Sequence, residues 1–152
     1  MPNRYQRGIE SILRVYPEFR LFTAFPDDYP YLRESTDPRY PIDLFRIWWL
    51  AQHPDTMWID LDCIVERQIQ LPETDKPVFG EFLGSHDLFL IHTKKVDYCR
   101  KILYDYNCEI AGTLEDRVGC IQRLINDRYR DQIELLPQVD YKHTSLTIYG
   151  DL

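Results

Sequence analysis

Two carboxylates two positions apart, Asp60 and Asp62, close the apolar run 57–59 in the stretch MWIDLDCIV. Side chains two apart on an extended chain point to the same side, so we expect both carboxylates to face one site. Like charges held this close repel each other unless a cation lies between them, and Mg²⁺ and Mn²⁺ prefer such hard oxygen ligands. The pair is a candidate metal site. The alternative interpretation is a solvated strand end whose aspartates cap a turn.

A second group of charged residues lies on the predicted helix 42–53, which is otherwise almost entirely apolar. The spacing of Asp43, Arg46 and His53 places them on one stripe of that helix. One interpretation is an internal ion pair between Asp43 and Arg46. The other is that these groups face a cleft beside Asp60, after one helix, a turn at HPDT and a strand.

The elements that must position these residues follow from apolar periodicity and turn residues. Helices are predicted over 9–16, 42–53, 96–106 and 114–129, and strands over 19–25, 56–62, 78–82, 87–93 and 133–137. The four prolines within 25–41 predict an irregular loop. This alternation predicts a single α/β domain over 1–152, with helices packed around a mixed sheet.

Composition narrows the classes of partner. A net charge of −7 and a pI near 5.0 argue against nucleic acid and anionic membranes as general partners. No apolar stretch approaches the roughly 20 residues of a membrane helix, and the N-terminus has no signal-peptide pattern, so we expect a cytoplasmic protein. The four cysteines show no zinc-site spacing and are interpreted as reduced packing residues.

The segment IDLFRIWWLAQHPDTMWIDLD, residues 42–62, resembles the DxD sugar transferases, and so does the upstream ILRVYPEFRLFTAF (12–25). The resemblance covers roughly residues 10–62 well and the rest of the chain only weakly. This family includes the clostridial glucosylating toxins, fungal mannosyltransferases and bacterial capsule enzymes. The resemblance implies a GT-A fold, a UDP- or GDP-sugar donor, Mn²⁺ or Mg²⁺ and transfer of a hexose, mostly with retention of configuration. It assigns donor-sugar binding to Asp43, Arg46 and Asp60, and metal binding to Asp60 and Asp62.

The chain departs from the family at two points. Relatives mostly have a Gly-Gly turn before the motif strand, where this chain has Pro54 and Asp55, so we expect a differently shaped turn and an intact strand. Relatives also open with a strand that holds the nucleotide base, whereas this chain begins with a helix. The expected fold is therefore a compact GT-A-like domain shortened at its N-terminus, with an exposed sheet edge that a second copy could cover as a homodimer.

Three further residues are candidates for the site. His143, in VDYKHTS, is a candidate metal ligand because many GT-A enzymes take a ligand from their C-terminal part; the alternative is a solvated surface histidine. Glu115 and Asp116 are candidate catalytic groups, acting as acid or base in transfer to an acceptor that the sequence does not identify. Their alternative role is to complement the dipole of a helix that Thr113 caps.

Two other functions compete with sugar transfer. A shortened, non-catalytic GT-A-like binding module would keep the scaffold and act through a partner. The stretch WIDLDCIV also resembles the haloacid-dehalogenase phosphatases, in which the first aspartate attacks phosphorus. Only 90 residues follow Asp62, which is too few for the remaining strands of that fold.

Overall fold

The structure, a computed structural model, describes residues 3–31, 39–110 and 120–144. The chain forms α1 (Arg4–Val15), α2 (Arg39–Leu50), β1 (Thr56–Ile59), β2 (Cys63–Val65), β3 (Val78–Phe82), β4 (Ser85–Thr93), α3 (Asp97–Ile110) and α4 (Cys120–Leu124). A π-helical turn (Ile125–Tyr129), a 3-10 turn (Arg130–Gln132), β5 (Glu134–Leu136) and β6 (Tyr141–His143) follow.

Four strands form a mixed sheet in the order β1-β4-β3-β5. The β1–β4 and β4–β3 pairs are antiparallel, whereas β3 and β5 are parallel. A separate antiparallel ribbon joins β2 to β6, with Cys63 opposite His143. The predicted mixed α/β class is confirmed.

Two hydrophobic clusters hold these layers together. The larger one joins α2, α3, α4 and the π turn to the sheet, and its fully buried members include Ile47, Leu50, Phe79, Ile91, Ile102 and Ile125. The second joins α1 and the β2–β6 ribbon to the sheet, around Ile12, Cys63, Val65, Phe89, Leu90 and Tyr141. Strand β1 lies between the clusters: Trp58 packs on the first, while Met57 and Ile59 pack on the second. Residues on alternate faces of β1 therefore point towards different helices.

The prediction of a strand over 19–25 is wrong. This segment has no strand pairing, and its aromatic rings pack instead against α2 and β1. Phe22 contacts Phe45, Trp49 and Trp58 with ring centroids 4.7–5.9 Å apart. Aromatic residues favour strands largely because they pack on a half-buried surface, and here that burial is achieved without a ladder.

The predicted strand over 56–62 is shorter, because β1 ends at Ile59 and residues 60–63 form a turn closed by Cys63 N donating to Asp60 O at 3.1 Å. In the Pro54–Asp55 turn before it, Asp55 has φ of 52°, a left-handed conformation that aspartate tolerates. The strand after it is intact, as expected.

The remaining predicted elements differ mainly at their ends. Helix α2 is buried on several sides as predicted, but it ends at Leu50 rather than residue 53. The helix predicted over 114–129 lies partly outside the described residues, and its described part continues into the π turn. The three-residue strands β2 and β6 were not predicted. No helix within the described ranges is long and apolar enough to cross a membrane.

Candidate functional site

Arg46 joins helix α2 to the first motif aspartate. Its Nε and Nη2 donate to the two carboxylate oxygens of Asp60 at 3.1 and 2.8 Å, and its Nη1 donates to Asp43 at 3.0 Å. The side chain is buried, with the whole residue 9% exposed. Both interpretations of Arg46 therefore hold, since it pairs with Asp43 within the helix and also reaches Asp60. We call Asp43, Arg46 and Asp60 the Arg46 network.

Trp58 donates a further hydrogen bond to the Arg46 network, and the sequence pattern did not identify it as a site residue. Its indole Nε1 donates to Asp60 Oδ1 at 2.8 Å, so Asp60 accepts three hydrogen bonds on its side chain. Because Trp58 and Asp60 are two apart, strand alternation sends both towards α2. The i, i+2 spacing of an indole donor and a carboxylate at a strand end was the available signal.

The second motif aspartate has a different partner. Asp62 Oδ2 lies 3.1 Å from His143 Nε2, and both side chains are only 17% exposed. The β2–β6 ribbon creates this contact, because it pairs Cys63 with His143, and Thr144 also bonds Asp62 O through its backbone N at 3.0 Å. The structure thus brings His143 to the motif, and its role as a metal ligand stays a prediction. Residues 60–62 form a turn instead of the expected extended chain, and Asp60 and Asp62 bond different partners, although both residues line the same cavity.

Ring packing fixes the orientation of His143. Its imidazole stacks on Phe89 with centroids 4.5 Å apart and planes 10° apart. Gly80 makes this arrangement possible, since a Cβ there would lie 2.4 Å from the Phe89 ring. The Asp62–His143 pair is therefore positioned by the sheet rather than by exposed loops.

Burial and charge shift the pKa values of these groups in different directions. Burial raises the pKa of the Asp60 carboxyl, although Arg46 and Trp58 oppose that rise. Burial also acts to raise the pKa of Asp62, but the hydrogen bond and charge of His143 outweigh it, and the net shift is downward. Burial acts to lower the pKa of His143, and its bond to Asp62 reverses this to a net rise. The second pair therefore favours its charged form.

The fit of a divalent cation differs between the two motif aspartates. Asp60 accepts three hydrogen bonds on its side chain, two on Oδ1 and one on Oδ2, which leaves one of roughly four acceptor positions for a ligand. Asp62 Oδ1 and His143 Nδ1 are buried without a hydrogen-bond partner. His143 would have to lose the proton that its pairing with Asp62 favours before it could bind a cation, because a charged imidazole has no lone pair to offer. The described part of the chain holds no group of three His, Cys, Asp or Glu side chains that could bind a metal. The metal roles of Asp60, Asp62 and His143 therefore stay predictions.

A cavity of about 550 Å³ opens beside both aspartates. Its charged lining is Arg46, Asp60 and Asp62, and its aromatic lining includes Phe22 and Trp58. A second cavity of about 370 Å³ is lined by residues 19–22 and by β1. Phe22 and Trp58, whose rings stack with centroids 5.9 Å apart, line both cavities.

Helix α1 supports the motif turn through its glycine. A Cβ on Gly8 would lie 1.6 Å from the carbonyl oxygen of Leu61, so only glycine lets α1 approach this closely. Ser11 secures the same contact, because its hydroxyl donates to Gly8 O at 2.8 Å and accepts from Val65 N at 2.9 Å. Gly8 and Ser11 are supporting residues that the sequence pattern did not reveal.

Other predicted residues lie apart from this site or beyond the described ranges. His53 stacks on Trp49, with centroids 3.9 Å apart, and takes no part in the Arg46 network. The candidate catalytic residues Glu115 and Asp116 lie outside the described residues.

Comparison with known protein families, with curated proteins and with solved structures finds no match to this chain.

Proposed function

We propose that this chain is a glycosyltransferase that moves a hexose from a UDP- or GDP-sugar to an acceptor with the help of Mn²⁺ or Mg²⁺, on a shortened GT-A-like scaffold. The observation that carries the proposal is the Arg46 network at the wall of a 550 Å³ cavity that Asp62 also lines. Three of the four residues that the resemblance assigns to the sugar and to the metal, Arg46, Asp60 and Asp62, thus share one cavity, and the fourth, Asp43, bonds Arg46.

The Arg46 network supplies fixed polar groups for a sugar. Its side chains are held by mutual hydrogen bonds and by packing on the apolar face of α2, so their positions are set before a ligand binds. Hydroxyl recognition benefits from such preorganisation, because less side-chain entropy is lost on binding. In the proposed complex Asp43, Arg46 and Asp60 hold donor-sugar hydroxyls.

Asp62 and His143 form the cation side of the proposed site. Both present a buried polar atom without a partner, and both belong to residue types that bind Mn²⁺. A bound cation would neutralise charge that develops on the nucleoside diphosphate as it leaves. This explains how a chain of net charge −7 would accept an anionic donor. The chain's own contribution is to hold Asp62 and His143 rigidly on the β2–β6 ribbon.

Aromatic side chains complete the proposed donor cavity. Phe22 and Trp58 line it, and the indole of Trp58 is fixed by its hydrogen bond to Asp60. A fixed aromatic ring presents an apolar face at low entropic cost, which suits a nucleobase or the apolar face of a sugar.

The test is the thermal stability of the protein with Mn²⁺ and a panel of UDP- and GDP-sugars. A ligand at 100 times its Kd stabilises the native state by about 2.7 kcal/mol, which corresponds to roughly 5–10 °C in Tm for a chain of this size. We expect a shift of this kind for one class of nucleotide sugar, dependent on Mn²⁺. It should be lost in Asp60→Asn and in Asp62→Asn.

The matched control is Asp131→Asn, which makes the same change at an exposed aspartate of the 3-10 turn. This variant should keep the full shift. If wild-type protein shows no metal-dependent shift with any nucleotide sugar, the transferase proposal is wrong. If the shift is present, release of nucleoside diphosphate from the bound donor distinguishes sugar transfer from binding alone.

A non-catalytic GT-A-like binding module is the second candidate. It is favoured by the full engagement of Asp60 with Arg46 and Trp58 and by the lack of a three-residue metal cluster in the described ranges. Such a module would bind a nucleotide sugar without a metal, or would bind no nucleotide sugar at all. The haloacid-dehalogenase alternative is less well supported, because Asp60, the residue that would attack phosphorus, is held through both of its oxygens by Arg46.

A further inference from the structure

Helix α1 is a basic element of an acidic protein. Its residues include Arg4, Arg7 and Arg14 against one acidic residue, Glu10, whereas the whole chain carries a net charge of −7. Arg7 and Arg14 are seven positions apart, which places them on one face of the helix about 10 Å apart along its axis. Two arginine side chains at that separation can converge on one small ligand.

The two arginines share a cavity. It measures about 360 Å³ and is lined by Arg7, Glu10, Ser11, Arg14 and Ile64; we call it the α1 groove. Within the described residues neither Arg7 nor Arg14 makes a side-chain hydrogen bond or an ion pair, and one guanidinium nitrogen of Arg7 is buried without an acceptor. A buried donor without a partner costs free energy that an anionic ligand would offset.

Glu10 does not neutralise this pair. Its carboxylate accepts from Gln6 Nε2 at 3.4 Å and makes no ion pair with either arginine among the described residues. The ionisable side chains that line the α1 groove therefore sum to a net charge of +1, from two arginines and one glutamate. Arginine forks match phosphate geometry, and two of them suit a tetrahedral group of more than one charge better than a carboxylate.

We infer that the α1 groove, through the unpaired guanidinium groups of Arg7 and Arg14, binds a phosphate group. The groove belongs to the helix that supports the motif turn, because Gly8 packs directly on Leu61 and Ser11 bonds Val65.

The experiment is calorimetric titration with inorganic phosphate at pH 7.5 and constant ionic strength, without metal. Charge-assisted hydrogen bonds of this type account for about tenfold or more in affinity, so Arg7→Gln and Arg14→Gln should each raise the Kd by at least that factor. Glu10→Gln should lower the Kd several-fold, since it removes the one negative charge of the groove. Acetate at the same concentration should bind more weakly than phosphate.

The matched control is Arg130→Gln, which removes the same charge from an exposed arginine that makes no hydrogen bond or ion pair within the described residues. Its Kd should equal that of the wild type. The inference is overturned if wild-type protein does not bind phosphate, if Arg130→Gln weakens binding as much as Arg14→Gln, or if Glu10→Gln leaves the Kd unchanged. Arg14 is exposed, so its variant is expected to fold normally even if Arg7→Gln does not.

A second measurement separates this inference from the proposed function. The nucleotide-sugar shift in Tm should persist in Arg14→Gln, because this residue lies outside the donor cavity. Phosphate binding without any nucleotide-sugar shift would uphold the α1 groove and overturn the proposed function alone, whereas a nucleotide-sugar shift without phosphate binding would do the reverse.

Discussion

The two aspartates of the motif are two residues apart, yet they belong to regions of opposite character. Asp60 is part of a densely bonded network, in which Arg46 and Trp58 donate three hydrogen bonds to its two oxygens. Asp62 and His143 share one hydrogen bond and each keep a buried atom without a partner. A densely bonded network stabilises the protein and fixes the positions of its polar groups, whereas incompletely bonded groups have more capacity for a further ligand.

The largest effect is expected when Arg46 is replaced by methionine. This change removes the buried positive charge and leaves the carboxylates of Asp43 and Asp60 without their shared partner. Breaking a buried ion pair on one side costs about 3–5 kcal/mol, so the free energy of unfolding should fall by that amount. Urea denaturation measures it. Arg130→Met, at an exposed position, should change stability by less than about 0.5 kcal/mol, and an equal loss in both variants would mean that the Arg46 network contributes nothing specific.

Gly8→Ala should affect both regions at once, because the new methyl group would overlap the Leu61 carbonyl between them. Overpacking of this kind costs about 1–3 kcal/mol, which exceeds the roughly 1 kcal/mol that alanine gains over glycine in a helix. We expect a lower Tm and a weaker nucleotide-sugar shift. Ser11→Ala, on the same helix, should lower Tm through the loss of its two hydrogen bonds, to Gly8 O and from Val65 N, while keeping most of the ligand shift. A more stable Gly8→Ala protein would contradict the close approach of α1.

Trp58→Phe tests whether the indole bond, rather than the ring, completes the Arg46 network. The ring packing on Phe22 and Phe45 is largely kept, but Asp60 loses one donor. Loss of a hydrogen bond to a charged group should lower the free energy of unfolding by about 1.5–3 kcal/mol. Trp49→Phe is the matched control, since no indole hydrogen bond of Trp49 is found in the described part of the chain. Equal losses in both variants would assign the effect to packing.

The smallest expected effect is a difference in pH dependence: the stability contributed by the Asp62–His143 pair should change with pH, whereas that of the Arg46 network should not. The pKa of His143 is raised by Asp62, so its contribution to stability is complete below the unfolded pKa, near 6.5, and is lost as pH rises through the folded value. The pKa of Asp62 is lowered, so its contribution is complete above the unfolded pKa, near 4, and is lost as pH falls through the folded value. The Tm difference between wild type and His143→Gln should therefore be largest near pH 5–6 and shrink towards pH 9.

The Arg46 network provides the internal reference for this pH series. Because Arg46 stays charged, the Tm difference between wild type and Arg46→Met should stay nearly constant from pH 7 to pH 9. If the His143→Gln difference were equally constant over pH 5–9, Asp62 and His143 would not form a charged pair. Proton NMR of the His143 ring gives the titration directly.

That Asp43, Arg46 and Asp60 lie close together could be predicted from the sequence. Its components are local: a helical i, i+3 spacing, one short turn and one apolar strand that brings Asp60 back beside the helix. Strands β3 and β4 were likewise predictable, since their apolar runs are long enough to show a period. Local periodicity carries this information because the neighbouring residues of one element share their geometry.

Only the tertiary structure decided which residues complete the site. The contact between Asp62 and His143 depends on pairing two three-residue strands that are far apart in the chain and too short to show a pattern. The segment 19–25 has the composition of a strand, but its rings are buried by packing on α2 and β1 rather than by joining the sheet. The close approach of Gly8 to Leu61 is equally invisible in sequence, because a glycine in a helix signals a contact only once its neighbour is known. Long-range pairing and close packing depend on the whole fold, and for that reason no local pattern encodes them.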